Sequence, residues 1–149
     1  MKNDVFKLTS VKPLDSLRLR LRYADGAAFE VDLADWIAAS KALSALKKPA
    51  LFMRGHVGGG RHSVAWVDDE LELGADNLRN LAVEQAGGIG HERIWEWMHR
   101  NNFTLDAAAE ALGISRRMIA YYRNGQKTIP RHVWLACMGW ESLNLKQAA

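Results

Sequence analysis

The sequence predicts an α+β fold made of a small antiparallel sheet with short helices, followed by an all-α bundle. Before residue 87, several short runs of apolar residues alternate at a period of two, whereas beyond residue 90 they recur at three- and four-residue steps. The glycine-rich segment 87–90 separates the two patterns, as a break between domains would. Because 149 residues suffice for two small domains, we expect one over residues 1–86 and another over residues 87–149.

Three strands are predicted at the start of the first domain. Residues 5–11 form the first strand, residues 13–15 a turn, and residues 17–23 a second strand with leucines at every other position. Asp25 and Gly26 predict a hairpin, because such a turn needs positive φ angles. Apolar residues alternate again over residues 29–33, which we expect to return antiparallel to the second strand.

A row of arginines occupies the polar face of the second strand. Arg18, Arg20 and Arg22 alternate with the leucines, and Glu30 and Asp32 fall on the polar face of the returning strand. Oppositely charged residues on paired strands stabilise each other, so we expect the acidic residues to occupy the arginines. If the arginines are occupied in this way, they are not free to bind a small molecule. A small-molecule sensing site on the arginine row stays an alternative.

The remainder of the first domain is predicted to mix short helices and strands. Residues 33–46 carry apolar side chains at helical spacing, which predicts one or two helical turns packed on the sheet. Pro49 is expected to end them because proline lacks an amide donor. We then expect strands at residues 51–53, 63–67 and 71–73, and a helix over residues 77–85 that Asp76 caps.

The first domain resembles small bacterial domains of unknown function that sometimes precede a helix-turn-helix. The resemblance covers residues 5–83 and rests on the hairpin, the run over residues 29–33, Phe52, Trp66 with the acidic turn after it, and Asp76. It implies a twisted sheet with short helices and no particular activity.

Residues 104–123 of the second domain predict two short helices joined by a tight turn. Ala109 is small where the helices would cross, Gly113 allows a sharp turn, and Ile119 faces back into the core. Ser115 is a suitable N-cap for the second helix.

This pattern, with the Gly125 loop and a further helix that starts after Ile129 and Pro130, resembles the lambda-repressor-like helix-turn-helix family over residues 90–140. The second domain is thus identified as an all-α helix-turn-helix bundle. In that family the second helix lies in the major groove of DNA. The resemblance implies that the residues facing the groove and reading bases are Ser115, Arg116, Arg117 and Tyr121.

The charge distribution agrees with this implication. Lysine and arginine number 12 against 12 acidic residues before residue 87, and 8 against 5 from there on, so the net charge of +3 arises in the second domain. Residues 111–140 contain no acidic residue. A local basic surface attracts phosphates, and we expect Arg123, Lys127 and Arg131 to contact the DNA backbone.

Candidate catalytic and metal-binding residues form no recognisable motif. The loop over residues 55–61 holds four glycines but lacks the Gly-Lys-Ser/Thr ending of a nucleotide-binding loop. His56 and His62 have no third ligand at a suitable spacing, and the acidic run at residues 68–70 is typical of a turn. We therefore predict no enzyme activity, no catalytic residue, no cofactor and no metal.

The sequence also predicts where the protein acts. No run approaches the ~18 consecutive apolar residues of a membrane span, and no signal-peptide core follows the polar start. The single cysteine, Cys137, excludes an internal disulfide and fits a reducing compartment. We expect a cytoplasmic protein without a membrane partner.

Together these observations predict a bacterial DNA-binding transcriptional regulator that acts as a homodimer on double-stranded DNA. The first domain would serve in sensing, dimerisation or binding of a protein partner. The alternative is a protein-interaction or antitoxin-like module whose helix-turn-helix is only a scaffold. Two departures from the family pattern favour this alternative: Leu105 where the family often has glutamine, and Arg123 where it often has an acidic residue.

Overall fold

A computed structural model describes the backbone of residues 4–148 and the side chains of residues 5–144. The described residues form six strands and seven α-helices, with three short 3₁₀-helices at Asp4–Phe6, Ser44–Lys47 and Gly59–Arg61. In chain order the elements are β1 (Leu8–Leu14), β2 (Arg18–Tyr23), β3 (Ala28–Asp32), α1 (Ala34–Ala39), α2 (Pro49–Phe52), β4 (His56–Val57), β5 (Ser63–Trp66), β6 (Leu71–Gly74), α3 (Ala75–Gln85), α4 (Glu92–Arg100), α5 (Leu105–Leu112), α6 (Arg116–Arg123) and α7 (Arg131–Ala148).

The α+β prediction is confirmed, with the strands in the first part of the chain and most of the helices in the second. Two compact units are present, Met1–Ala86 and Gly87–Ala149. The first contains two antiparallel three-stranded sheets, β1-β2-β3 and β4-β5-β6. The second is formed by α4 to α7.

The core of the first unit lies against the apolar face of the first sheet. Leu19 and Leu21 of β2 are fully buried and Tyr23 is nearly so, while the arginines between them point away. This is the outcome that alternation at a period of two predicts. Phe52 and Trp66 extend the same core, and the indole nitrogen of Trp66 donates to the carbonyl oxygen of Phe52 at 2.9 Å.

The first hairpin differs from the prediction at its turn. Pro13 lies inside β1, opposite Leu19, rather than in the turn. Proline is tolerated there because β1 is at the edge of its sheet. The chain turns over residues 15–17, where Ser16 and Leu17 have φ of 62° and 59°, a conformation that favours glycine and that the sequence did not reveal.

Three further predictions in this unit are wrong. Pro49 starts α2 instead of ending a helix, because the first helical position needs no amide donor. Residues 51–53 therefore form no strand, and Phe52, whose side chain is buried, belongs to helix α2. Asp76 lies in the first turn of α3, whose N-cap is Gly74. The short strand β4, which pairs with β5, was not predicted.

Arg79 of α3 joins three parts of the first unit. Its guanidinium donates to both carboxylate oxygens of Asp25 in the β2–β3 hairpin, at 3.1 and 2.8 Å, and to the carbonyl oxygen of Val5 at 2.7 Å. It also lies 4.9 Å from the ring centroid of Tyr23. Burial alone would raise the pKa of the Asp25 carboxyl, but hydrogen bonds from Arg79 and from the Ala27 amide lower it below its ordinary value.

We expect the Asp25 contact to make the stability of the first unit depend on pH. A carboxyl whose pKa is lowered by folding stabilises the protein above the pKa of the unfolded chain, ~3.9, and loses this contribution as the pH falls through the lower folded pKa. The variant Asp25→Asn should lose ~1–2 kcal/mol at pH 7 and show a flatter stability profile below pH ~4. Urea unfolding between pH 2.5 and 7 measures this, and parallel profiles for both proteins would contradict it.

The second unit is built around Trp97 of α4. Its side chain is fully buried, its indole nitrogen donates to the carbonyl oxygen of Cys137 in α7 at 3.0 Å, and its ring lies 4.9 Å from that of Phe103. Cys137 is fully buried and acts as a small apolar core residue. The same burial raises the pKa of its thiol to about 12. Ile94, Ala108, Ile119 and Val133 complete the core from all four helices.

Candidate nucleic-acid interface

The turn between α5 and α6 is fixed by local hydrogen bonds. Gly113 ends α5 with φ 70°, a left-handed conformation that glycine adopts without strain, and the Ile114 amide donates back to the carbonyl oxygen of Ala109 at 3.1 Å. The Ser115 hydroxyl then accepts the Met118 amide at 3.1 Å, which confirms the predicted N-cap. Two eight-residue helices thus follow each other with only three residues between them.

Helix α6 has a buried face and a basic exposed face. Ile119 and Tyr122 are buried in the second unit, whereas Arg116 and Arg117 are exposed in its first turn. The Ser115 hydroxyl is exposed too and still has a hydrogen to donate, because the cap uses it only as an acceptor. Three of the four predicted base-reading residues therefore present donors at the start of one helix.

Tyr121, the fourth predicted base-reading residue, lies one turn further along α6 and contacts two basic side chains. The Nε of Arg117 donates to the Tyr121 hydroxyl at 2.6 Å, and the ammonium of Lys127 lies 5.2 Å from the centroid of the tyrosine ring. Both contacts hold cations beside the exposed face of α6. The remaining guanidinium nitrogens of Arg117 stay available for a ligand.

Asp106 is a neighbour of the basic face of α6 that the sequence did not single out. Its carboxylate lies 3.2 Å from the Nε of Arg116, across the two helices. Both side chains are mostly exposed, 65% for Arg116 and 81% for Asp106, so water screens this pair and it contributes at most ~1 kcal/mol. A first-turn acidic residue on α5 is the one signal in the sequence that could have indicated it.

The three predicted phosphate-contacting residues lie in different environments. Lys127 and Arg131 are exposed. The guanidinium of Arg123, by contrast, stacks 4.6 Å from the ring centroid of Trp95 in α4, and its Nε is buried with no hydrogen-bond partner among the described residues. Packing on Trp95 thus accounts for the basic residue that departs from the family pattern at this position.

Leu105, the other departure from that pattern, is also explained by packing. It is the first residue of α5, is half-buried, and contacts the core of the second unit. The capping role at this helix start belongs to Thr104, whose hydroxyl accepts the Ala107 amide at 3.1 Å. Leu105 therefore anchors the start of α5 and offers no hydrogen bond to a ligand.

The histidines of the first unit make structural contacts. His56 lies 3.3 Å from a carboxylate oxygen of Asp69, and His62 lies 3.1 Å from the carbonyl oxygen of Phe6. Within the described part of the chain, no group of three or more histidine, cysteine or acidic residues could hold a metal ion. None of the described helices is long and apolar enough to cross a membrane.

A solved structure matches almost the whole chain. No family model and no curated protein matches this chain. The crystal structure of "Putative DNA Binding Protein NE0471" from Nitrosomonas europaea superposes with a TM-score of 0.84 at 48% sequence identity, over 91% of this chain and 86% of that one. This chain belongs to the same family as NE0471. An identity this high over both units means that the two proteins share the α+β architecture as well as the arrangement of α4 to α7.

Proposed function

We propose that this protein binds double-stranded DNA in a sequence-specific manner and regulates transcription. The observation that carries the proposal is the start of α6, where Ser115, Arg116 and Arg117 present donors from a short helix that α5 and its tight turn support. A guanidinium can bind guanine with two hydrogen bonds, and the start of a second helix is the part that reads bases in helix-turn-helix proteins. The description of NE0471 as a "Putative DNA Binding Protein" supports the same function.

Roles for the other side chains follow from their positions. Tyr121 holds Arg117 in place and adds a hydroxyl to the same surface. Lys127 and Arg131, both exposed, contact phosphates and contribute affinity that carries no sequence information. Arg123 can contribute only from its stacked position on Trp95. No step of this function requires a cofactor or a metal.

A homodimer is part of the proposal. One short helix contacts too few base pairs for useful specificity, so proteins of this kind pair two half-sites related by a two-fold axis. The first unit, Met1–Ala86, would then serve in dimerisation, sensing or binding of a protein partner. A cytoplasmic location fits a regulator of this type.

Selection from a pool of random duplexes tests the function directly. Bound duplexes are recovered at two salt concentrations and sequenced, and affinities are measured by fluorescence anisotropy. We expect enrichment of one two-fold symmetric sequence, with affinity that falls as salt rises. Salt-sensitive binding without an enriched sequence would contradict the proposal and would favour the scaffold alternative, in which the two helices serve a protein partner.

A further inference from the structure

The outward face of the first sheet carries more cations than its carboxylates can neutralise. Arg18, Arg20 and Arg22 share this face of β2, and Lys12 of β1 lies directly opposite Arg20. We call these four residues the arginine face. On the neighbouring strand β3, Asp32 lies opposite Arg18 and Glu30 lies opposite Arg20. Arg22 lies between Ser10 of β1 and Ala28 of β3.

The carboxylates of β3 serve only part of the arginine face. Glu30 is shared by two arginines, at 2.6 Å from Arg18 and 3.7 Å from Arg20. Asp32 accepts the amide of Ala34 at 2.9 Å. Among the described residues, neither Arg22 nor Lys12 forms an ion pair. The sequence prediction that the acidic residues occupy the whole arginine row is therefore wrong for Arg22.

This placement is electrostatically unfavourable for the protein alone. Like charges directly opposite each other on paired strands destabilise a sheet, and Lys12 and Arg20 form such a pair. A bound anion would relieve the repulsion. The shape of the face indicates what kind of anion fits, because successive arginines stand about 6.6 Å apart along a strand and point the same way.

A flat row of separate cations matches a linear polyanion better than a small anion, which needs donors that converge on one point. From Arg18 to Arg22 the row extends over roughly 13 Å, and a DNA strand carries a phosphate about every 3.4 Å along its axis. We propose that the arginine face is a second contact surface for the phosphate backbone of DNA, additional to α6. This inference rests on the proposed function and gives the first unit a share in affinity.

The test compares two variants that each remove three positive charges from the first unit. The first, Lys12→Gln/Arg20→Gln/Arg22→Gln, neutralises most of the arginine face but keeps the Arg18–Glu30 pair. The control, Lys41→Gln/Lys47→Gln/Lys48→Gln, neutralises three exposed lysines between α1 and α2. Affinity for a fixed duplex is measured by anisotropy from 50 to 300 mM salt, after circular dichroism has confirmed that both variants are folded.

We expect the arginine-face variant to reduce the slope of log affinity against log salt by about 3, because each of the three cations would otherwise neutralise one phosphate. The control should keep the wild-type slope. Equal slopes for the two variants would overturn the inference. The inference would also be overturned if the arginine-face variant kept the wild-type salt slope for DNA but bound polyglutamate more weakly than the wild type. That result would assign the arginine face to an acidic protein.

Failure of this inference and failure of the proposed function give different results. If only the inference fails, the wild type and both glutamine variants bind the selected duplex with the same salt slope, and sequence preference remains. If the proposed function fails, the wild type itself prefers no sequence. If the wild type binds no duplex at all, both are overturned.

Discussion

Replacing Arg116 and Arg117 together with alanine is expected to remove the preference of this protein for its selected duplex over a scrambled one. Each good arginine–guanine contact contributes ~1–3 kcal/mol of discrimination, so the double variant should lose about 30-fold or more. The fold should survive, because both side chains are exposed and the core of the second unit does not include them. Anisotropy titrations against both duplexes at one salt concentration measure the ratio.

A matched control separates base reading from phosphate contact. Lys127→Ala/Arg131→Ala also removes two exposed cations from the second unit. It should weaken binding to both duplexes alike and reduce the salt slope by about 2, while the preference stays. If instead the Arg116 and Arg117 variant keeps its preference, base reading does not depend on the first turn of α6.

The ion pair of Arg116 with Asp106 is compatible with this expectation. The pair is exposed on both sides, so breaking it to bind guanine costs at most ~1 kcal/mol, which is no more than one base contact returns. In the proposed complex, Asp106 would hold the Arg116 side chain near the DNA until binding and then release it. A buried pair of the same geometry would be much harder to open.

Local signals explain why the helices of the second unit could be predicted from the sequence. Ser115 caps α6 with its own hydroxyl, and Gly113 ends α5 in a left-handed conformation, so both boundaries depend on residues within one turn of the chain. The same holds for the β2–β3 hairpin, where Gly26 has φ 92°. Elements whose limits are set by such neighbours are visible in a single sequence.

The missed features depend on tertiary contacts. Pro49 is compatible with the start or the end of a helix, and packing of Phe52 in the core decides for the start. Strand β4 has only two residues and exists because β5 pairs with it. The charge balance of the arginine face depends on the register between β2 and β3. Alternation at a period of two places the acidic residues and the arginines on the same face of the sheet, but only the register determines which acidic residue lies opposite which arginine.

The candidate site shows the same division. Apolar residues at helical spacing predicted which face of α6 is buried, and the resemblance to the helix-turn-helix family implied which of its residues face DNA. It did not indicate the contact of Arg116 with Asp106 or the stacking of Arg123 on Trp95, since both join different helices. Both contacts restrain the guanidinium groups that the proposed function assigns to DNA.

Replacing Trp97 with alanine is expected to cause the largest loss of stability of any single change in the second unit. The side chain is fully buried between α4 and α7, and truncating a large aromatic residue in a core costs ~3–5 kcal/mol. The cavity would also remove the partner of Phe103 and Trp140, whose rings lie 4.9 and 6.2 Å away. Urea unfolding followed by circular dichroism at 222 nm measures the loss, because most helical residues belong to this unit.

Trp95→Ala is the matched control for this prediction. Trp95 and Trp97 lie on the same helix, about 200° apart in direction, and Trp95 is 50% exposed. Its loss removes mainly the stacking of Arg123, which is worth ~0.5–1 kcal/mol at such a site. A far smaller loss of stability for Trp95→Ala than for Trp97→Ala would show that burial of Trp97 in the core, and not the mere loss of a tryptophan, stabilises the second unit. Similar losses for both variants would mean that stacking on Arg123 is a main support of α6.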